Sequence, residues 1–266
     1  MAAPASGQQN QPEDSTDRTE NRLVVANRHM VAAAHPDAVA AGLEMLRRGG
    51  SAADAAIAVQ LVLNLVEPQS SGIGGGAFLL FYDAEKRQTV TFDGRETAPI
   101  AATPDLFLTS NGTPMKFGDA MVGGRAVGTP GTVALLARVF QEHGKLTWPE
   151  LFAPAIRLAQ DGFIVGPRLA AMLAGDRGQQ LRTYAAARDY FYPDGKPLRA
   201  GARRANPEFA ETLIAIAERG PVAFYSGAIA EDIVAAVRNA PGNPGRLSLA
   251  DLSAYDIVRR DPVCHG

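Results

Sequence analysis

The chain has 266 residues, of which 46% are hydrophobic and 20% are charged, and its formal charge at pH 7 is −2. This composition is typical of a globular protein with a hydrophobic core, and it gives no indication of a nucleic acid or an anionic membrane as a partner. The single cysteine, Cys264, excludes an internal disulfide, so packing must stabilise the fold.

Residues 1–29 are predicted to form a disordered polar tail, because Gln, Glu, Asp, Ser and Asn dominate the segment. The tail contains no apolar stretch of the kind found in a secretion signal. Residues 30–266 are predicted to form one domain. Its longest apolar run, Ala55–Val66, is shorter than the ~20 residues that a membrane-spanning helix needs, so we predict no membrane span.

The ordered part is predicted to begin with a strand and a helix. Met30–Ala34 is short and apolar, which predicts a buried strand. Pro36 suits the first turn of a helix, where its missing N–H costs nothing, and Gly49 with Gly50 predicts the end of that helix.

A second helix is predicted from Ala52 to Val66. Ser51 precedes it and Asp54 follows three residues later, which is the pattern of a capping box. Almost every position of the helix is apolar. Because such a helix must be covered on all sides, we predict that it lies at the centre of the core.

The glycine-rich segment Gly72–Gly76 does not predict a phosphate site. In a dinucleotide-binding fingerprint the order is strand, glycines and helix, which directs the helix N-terminus toward the phosphates. Here a helix precedes the glycines and a strand follows, so we interpret the segment as a turn with close backbone approach. Ala77–Asp83 and Gln88–Asp93 are then predicted to form a hairpin, with Val90 and Phe92 on one face.

The rest of the chain is predicted to be mostly helical. Periodic apolar residues and capping signals indicate further helices, which contain Val133–Phe140, Trp148–Gln160, Pro207–Ile216, Ile229–Val237 and the residues after Ser248. Tyr255–Val258 is predicted to be a strand.

Asp176–Arg204 combines arginines with aromatic residues, a composition that binds single-stranded nucleic acid in some proteins. Asp176, Asp189 and Asp194 dilute its positive charge, and the whole chain is slightly negative. We therefore predict a solvated loop with a turn at Pro193 and no nucleic-acid partner.

No motif for a metal, a cofactor or a hydrolytic nucleophile is present. The histidines are scattered, without an H-E-x-x-H or Cys-x-x-Cys pattern, and a G-x-S-x-G elbow is absent. Cys264 and His265 are adjacent, and adjacent residues on a strand point to opposite faces, so they are not expected to form a catalytic pair. We predict no cofactor, no metal, and incidental roles for Cys264, His29, His35, His143 and His265.

The charged cluster Asp93-Gly94-Arg95-Glu96 at the end of the predicted hairpin is the strongest candidate site. An arginine offers a fork of donors that matches a carboxylate, and Asp93 and Glu96 are placed to hold that fork. The functional hypothesis is that Arg95 binds a substrate carboxylate. The structural alternative is a local ion pair where a strand leaves a sheet.

Several motifs in order along the chain resemble the γ-glutamyltranspeptidase (glutathione hydrolase) family. They span nearly all of residues 30–266, and their number makes the resemblance far more specific than one glycine loop. They are M-V-A-A-A-H-P from Met30, L-R-R-G-G-S-A-A-D-A-A from Leu46, E-P-Q-S-S-G-I-G-G-G-A-F from Glu67, D-G-R-E-T-A-P from Asp93, V-G-T-P-G-T-V from Val127, L-F-A-P-A-I-R-L-A-Q-D-G-F from Leu151 and L-A-D-L-S-A-Y-D from Leu249.

The resemblance implies an α/β fold, the four-layer αββα sandwich of an N-terminal-nucleophile hydrolase. Family members are made as a precursor that cuts itself into a large and a small subunit. A threonine at the start of the small subunit attacks the γ-glutamyl amide of a donor such as glutathione, with its own amino group as base. Water, an amino acid or a peptide then accepts the γ-glutamyl group. The arginine of the motif at residues 93–99, which is Arg95, binds the donor's α-carboxylate.

The sequence departs from the family pattern in one respect. It contains no Thr-Thr cleavage junction, so we expect it to be the N-terminal part of a large subunit, without the nucleophile and inactive alone. Family members suggest a periplasmic or extracellular location, whereas residues 1–28 lack a signal peptide pattern. Two alternatives stay open at this point: a cephalosporin or glutaryl acylase of the same superfamily, and a non-catalytic scaffold subunit.

Overall fold

The structure is a computed structural model that describes residues 23–264. Residues 1–22, which hold most of the predicted tail, and His265 with Gly266 lie outside the described residues. Residues 23–30 form one unit, which is exposed and contains no helix or strand. Residues 31–264 form the second unit, which contains all the elements below.

The second unit is rich in helices. The helices are α1 (Pro36–Arg47), α2 (Ala52–Val66), α3 (Phe117–Met121), α4 (Thr132–His143), α5 (Trp148–Asp161), α6 (Pro167–Ala174), α7 (Asp176–Gln179), α8 (Ala185–Phe191), α9 (Pro207–Arg219), α10 (Val222–Tyr225), α11 (Ala228–Arg238) and α12 (Leu249–Ala254). The strands are β1 (Ala77–Asp83), β2 (Gln88–Gly94), β3 (Phe163–Ile164), β4 (Arg203–Arg204) and β5 (Val258–Arg260).

Helix α2 lies at the centre of the main core, as its all-apolar sequence predicts. It packs against α1, α4 and α5, and most of its side chains are buried. The predicted capping box is present: Ser51 Oγ accepts a hydrogen bond from the Asp54 backbone N–H, and Asp54 accepts one from the Ser51 N–H. The Asp54 carboxylate is fully buried and also accepts the Lys145 N–H at 2.9 Å, so it connects α2 to the loop before α5.

The predicted hairpin is also present, and it belongs to a three-stranded antiparallel sheet in the order β1-β2-β5. Strand alternation divides the sheet into two faces. The inner face, formed by Leu79, Phe81, Val90 and Phe92, packs against Leu135 and Val139 of α4. The outer face is formed by Phe78, Leu80, Tyr82, Thr89, Thr91, Asp93, Val258 and Arg260.

The predicted strand at Met30–Ala34 is wrong. Val31–Ala34 is irregular in the structure, and no strand among the described residues pairs with it. Ala33 packs against the main core, and Val31 lies over Gly42 of α1. The apolar character of this segment therefore reflects packing on helices.

The predicted strand at Tyr255–Val258 is displaced along the chain. The strand that pairs with β2 is Val258–Arg260, and Asp93 lies opposite Val258 in its register. Tyr255 instead ends α12 and directs its side chain toward the end of β2.

The loop predicted at Asp176–Arg204 is wrong in its secondary structure, because the segment contains α7, α8 and β4. The predicted turn at Pro193 is present as the helical turn Pro193–Gly195, and many positions of the segment are exposed. Phe191 and Tyr192 pack against the hydrophobic core, and Tyr192 donates a hydrogen bond to the Leu173 carbonyl at 2.8 Å. The Arg182 guanidinium lies 4.5 Å from the centre of the Tyr192 ring, and Arg204 lies 4.3 Å from that of Tyr190. The interleaved arginines and tyrosines thus form cation–π pairs within the fold.

Candidate functional site at the end of strand β2

The candidate cluster Asp93–Glu96 lies where β2 meets the N-terminus of α4. The glycine loop, residues 72–76, forms the third side of this junction. The Gly75 carbonyl accepts hydrogen bonds from Gly131 N–H at 2.9 Å and Thr132 N–H at 3.0 Å. The site is therefore built on a helix start and a strand end, both of which are held by backbone hydrogen bonds.

Side chains of α2 position the glycine loop. Gln60 donates hydrogen bonds to Asn64 and to the Ser71 hydroxyl, each at 2.8 Å, and Ser71 donates to Asn64 at 2.6 Å. The observed order is helix, glycine loop and strand, as predicted. The loop consequently does not present a helix N-terminus to a phosphate.

Two glycines are required by close packing at this junction. A Cβ atom on Gly76 would lie 2.6 Å from the Gly94 carbonyl oxygen and 2.7 Å from Glu96 Oε2. A Cβ atom on Gly94 would lie 2.6 Å from Leu135 Cβ on α4. The interpretation of the glycine loop as a backbone-packing turn agrees with this geometry.

The Arg95 side chain is half-exposed and is oriented by its neighbours. Its Nη2 lies 3.3 Å from Glu96 Oε2, and its Nη1 donates to the Gly76 carbonyl at 3.4 Å. Its Cζ lies 6.0 Å from the centre of the Phe78 ring on the outer face. The contact with Glu96 is the local ion pair that the structural alternative predicts, while 53% of the Arg95 side chain is open to solvent and so accessible to a ligand.

The Arg95 backbone is held from two sides. Asp93 Oδ1 accepts the Arg95 N–H at 3.0 Å, and the Tyr255 hydroxyl donates to the Arg95 carbonyl at 2.7 Å. Tyr255 stacks on Tyr225 with ring centres 5.9 Å apart, and Tyr225 donates to the Pro130 carbonyl at 2.8 Å. Burial, together with the nearby carboxylates of Asp93 and Glu96, raises the pKa of Tyr255 to about 12, so it remains a neutral donor at physiological pH.

Asp93 also forms an ion pair on the outer face. Its Oδ2 accepts a hydrogen bond from Arg260 Nε at 2.7 Å. The hydrogen bond from the Arg95 backbone N–H, followed by that from Arg260, lowers the pKa of Asp93 below its usual value. Asp93 therefore holds the Arg95 backbone, and Glu96 is the acid that contacts the guanidinium.

Sequence reasoning identified Arg95, Asp93 and Glu96 but missed Tyr255 and Arg260. These two residues lie 160 and 167 positions from their partners in the cluster. The tyrosine occurs in the L-A-D-L-S-A-Y-D motif, so membership of a shared motif was the only signal available. Nothing in the local sequence indicates that this motif contacts β2.

His35 and His143 take part in contacts other than those of the Asp93–Glu96 cluster. His143 stacks on Phe81 with ring centres 4.0 Å apart, and His35 caps α1 by accepting the Asp37 N–H at 3.2 Å. Cys264 is exposed, and its neighbour His265 is outside the described residues. Within residues 23–264, no three His, Cys, Asp or Glu side chains gather in a way that suits a metal ion. No helix in that range combines the length and apolar character needed to cross a bilayer.

Comparison with known sequences supports the motif-based resemblance. A sequence profile described as Gamma-glutamyltranspeptidase matches residues 38–266. The glutathione hydrolase proenzyme of Bacillus subtilis (strain 168) is 39% identical over 234 residues, which cover 88% of this chain and 39% of that proenzyme. The chain thus spans about two fifths of the length of the curated relatives it matches.

Solved structures share the fold. The γ-glutamyltranspeptidase of Helicobacter pylori matches with a TM-score of 0.85 and 30% identity, over 91% of this chain and 68% of that chain. A cephalosporin acylase from Bacillus halodurans matches with a TM-score of 0.76 and 29% identity, over 93% of this chain and 47% of that chain. The predicted α/β class of the N-terminal-nucleophile hydrolases is confirmed, and the chain belongs to the γ-glutamyltranspeptidase family.

Proposed function

We propose that this chain supplies the donor-binding part of an enzyme that transfers or hydrolyses γ-glutamyl groups. The donor is glutathione or another γ-glutamyl amide, and the acceptor is water, an amino acid or a peptide. The observation that carries the proposal is Arg95, whose backbone is held by Asp93 and Tyr255 while its guanidinium is half-exposed. Membership of a family whose relatives include glutathione hydrolases supports the same reaction class.

Arg95 binds the α-carboxylate of the γ-glutamyl donor. A guanidinium fork pairs with a carboxylate through two parallel hydrogen bonds, which sets the orientation of the donor as well as its affinity. Glu96 and the Gly76 carbonyl each contact one terminal nitrogen of Arg95 and restrict its rotation. A preorganised arginine loses less side-chain entropy on binding than a mobile one.

The chemical step belongs to a threonine of a small subunit from the same precursor. That threonine attacks the γ-carbonyl carbon of the donor and releases the amine, and the resulting γ-glutamyl ester is then transferred to the acceptor. In this scheme Arg95 is a binding residue that takes no part in bond making. It holds the α-carboxylate end of the donor so that the γ-carbonyl carbon lies next to the nucleophile. The 266 residues alone are accordingly proposed to be inactive.

A chimera tests the role of Arg95. Residues 31–264 replace the matching segment of the Bacillus subtilis proenzyme, and turnover of γ-glutamyl-p-nitroanilide is measured at several donor concentrations. Arg95→Gln is expected to lower kcat/KM by about 100-fold, because a charge-assisted bidentate contact is lost. Arg95→Lys retains the positive charge but not the forked pair of donors. Its kcat/KM is expected to lie between those of the parent chimera and Arg95→Gln.

The control variant is Arg219→Gln, at the exposed C-terminal end of α9. It should leave kcat/KM unchanged. An active chimera in which Arg95→Gln has the same KM and kcat as the parent would refute the carboxylate role. Turnover by the isolated 266-residue chain would refute the requirement for the small subunit.

Acylase activity is a second candidate, favoured by the structural match to the cephalosporin acylase. Glutaryl and γ-glutamyl groups both end in a carboxylate and differ by the α-amino group, so Arg95 suits either donor. The ratio of the rates with glutaryl-p-nitroanilide and γ-glutamyl-p-nitroanilide separates the two functions. A ratio above one would favour the acylase, and a ratio well below one is expected from the proposed function.

A further inference from the structure

A polar cleft lies in the 100–115 region, and none of residues 93–96 lines it. Its volume is about 420 Å³, which falls within the ~300–1,000 Å³ typical of small-molecule sites. Three separate segments line it: the loop around Asp105–Gly112, the short helical turn that carries Arg125, and the stretch of Pro244–Arg246.

Two arginines give the cleft its charge. Arg125 Nη1 donates to the Leu106 carbonyl at 3.0 Å and lies 3.3 Å from Met115 Sδ. Arg246 Nη1 donates to the Ala101 carbonyl and to Thr103 Oγ1, each at 2.9 Å. In each guanidinium, Nη1 is thus the nitrogen that donates hydrogen bonds to the protein. The Nε and Nη2 groups of both arginines have no hydrogen-bond partner among residues 23–264.

Asp105 adds one negative charge to the same lining. The Thr103 hydroxyl and its own backbone N–H, together with the positive charge of Arg246, lower the pKa of Asp105, so it is ionised at neutral pH. Among the ion pairs of residues 23–264, none joins Arg246 to Asp105. The cleft therefore presents two cationic groups and one separate anionic group.

The loop that lines the cleft is tightly folded. Thr109 N–H donates to the Thr113 carbonyl at 2.8 Å, and Met115 N–H donates to the Phe107 carbonyl at 2.9 Å. On the opposite side, the Asn243 backbone carbonyl accepts the Arg125 N–H, and the Asn243 side-chain amide donates to the backbone carbonyls of Asp119 and Val122. These bonds hold the backbone around the cleft, from which the exposed side chains of Asp105 and Arg246 and the half-buried Arg125 project.

We propose that this cleft binds a small zwitterion, a free α-amino acid or a short peptide, with its carboxylate at Arg125 and Arg246 and its ammonium group at Asp105. A carboxylate suits the unused guanidinium nitrogens. The Asp105 carboxylate opposes a dianion such as phosphate and favours a ligand that carries its own cation. The volume suits a dipeptide better than a single inorganic ion.

The test uses the 266-residue chain and the dipeptide L-alanyl-L-alanine, with binding followed by calorimetry at low salt. A dissociation constant in the millimolar range, about −4 kcal/mol, is expected for so small a ligand. The C-terminal amide of the dipeptide should bind at least ~10-fold more weakly, and the N-acetyl dipeptide several-fold more weakly. Saturable binding in this order supports the proposal. Absence of saturable binding, or tighter binding of inorganic phosphate, would overturn it.

Variants locate the binding. Arg246→Gln should reduce affinity for the dipeptide about 10-fold, whereas Arg219→Gln should leave it unchanged. Asp105→Asn provides a readout that misfolding does not produce: it should weaken dipeptide binding while strengthening binding of the N-acetyl dipeptide and of phosphate. Equal loss or equal retention of all three ligands in Asp105→Asn would contradict the assignment. These measurements involve no γ-glutamyl turnover, so their result is independent of the proposed function.

Discussion

The two faces of the three-stranded sheet are built from the same strands but have opposite environments. On the inner face Phe92 is fully buried against α4, whereas on the outer face Phe78 is 60% exposed and Leu80 is 68% exposed. The outer positions of β1 are as apolar as its inner ones, whereas the outer positions of β2 are Thr89, Thr91 and Asp93. Asp93 and Arg260 lie on the outer face, and Arg95 extends over Phe78. The candidate site is thus located on the face that helix packing leaves open.

The largest change in the free energy of unfolding is expected for a substitution on the inner face. Phe92→Ala should lower the free energy of unfolding by about 3–5 kcal/mol, because the deletion leaves a cavity against α4 that the helix cannot fill. Leu80→Ala, on the outer face, should change it by less than ~0.5 kcal/mol. Urea denaturation of the two variants measures the difference. Comparable destabilisation by both variants would show that the outer face is also packed in solution.

An intermediate change is expected when the hydrogen bond that joins the end of α12 to the end of β2 is removed. Tyr255→Phe removes the hydrogen bond to the Arg95 carbonyl and should cost about 1 kcal/mol of unfolding free energy. Tyr82→Phe, on the exposed outer face, is the matched control and should be close to neutral. If Tyr255→Phe is as neutral as Tyr82→Phe, the hydroxyl does not hold the Arg95 backbone. In the chimera, Tyr255→Phe should raise the KM for the donor more than it lowers kcat.

The smallest effect concerns the Asp93–Arg260 pair on the outer face. Because the pKa of Asp93 is lowered in the folded state, its ionisation stabilises the fold above the unfolded pKa near ~3.9, and this stabilisation is lost as the pH falls through the folded pKa. Arg260 is 57% exposed, so the contribution should stay below ~1 kcal/mol.

Asp93→Asn measures that contribution, since the amide oxygen can still accept the Arg95 N–H. The difference in unfolding free energy between the parent and Asp93→Asn should be constant from pH 7 to about 5 and decline toward zero below pH ~4. Asp232→Asn, at an exposed position of α11, serves as the control. A difference that grows on acidification would contradict the direction of the pKa shift.

Local elements were predictable because their signals lie within a few residues. The capping boxes of α2 and α12 require only a serine and an acid three positions later, and both are observed. The hairpin was predictable from apolar alternation around a polar turn, and its register places Val90 and Phe92 on one face as predicted. The Arg95 cluster was found in the same way, from adjacent charges at a strand end.

The errors share a cause. An apolar or aromatic segment predicts burial, but it does not specify the element that buries it. Val31–Ala34 packs on helices without pairing in a sheet, and Tyr192 and Tyr190 are paired with arginines in a segment that was predicted to be a solvated loop. In each case the partner lies beyond the few neighbouring residues that a local pattern covers.

The sequence by itself determined the longer helices α1, α2, α4, α5, α9 and α11, the capping boxes of α2 and α12, the hairpin, the packing role of the glycine loop and the family, since all of these depend on short-range patterns or on motifs in order. Only the tertiary structure decided the secondary structure of residues 176–204 and showed that α4 is the helix that covers the inner face of the sheet. It alone brought Tyr255 and Arg260 to the Arg95 cluster, and Arg125 and Arg246 to one cleft with Asp105. The physical reason is that hydrogen bonds and ion pairs across more than a hundred residues depend on how the helices pack, which no local pattern encodes.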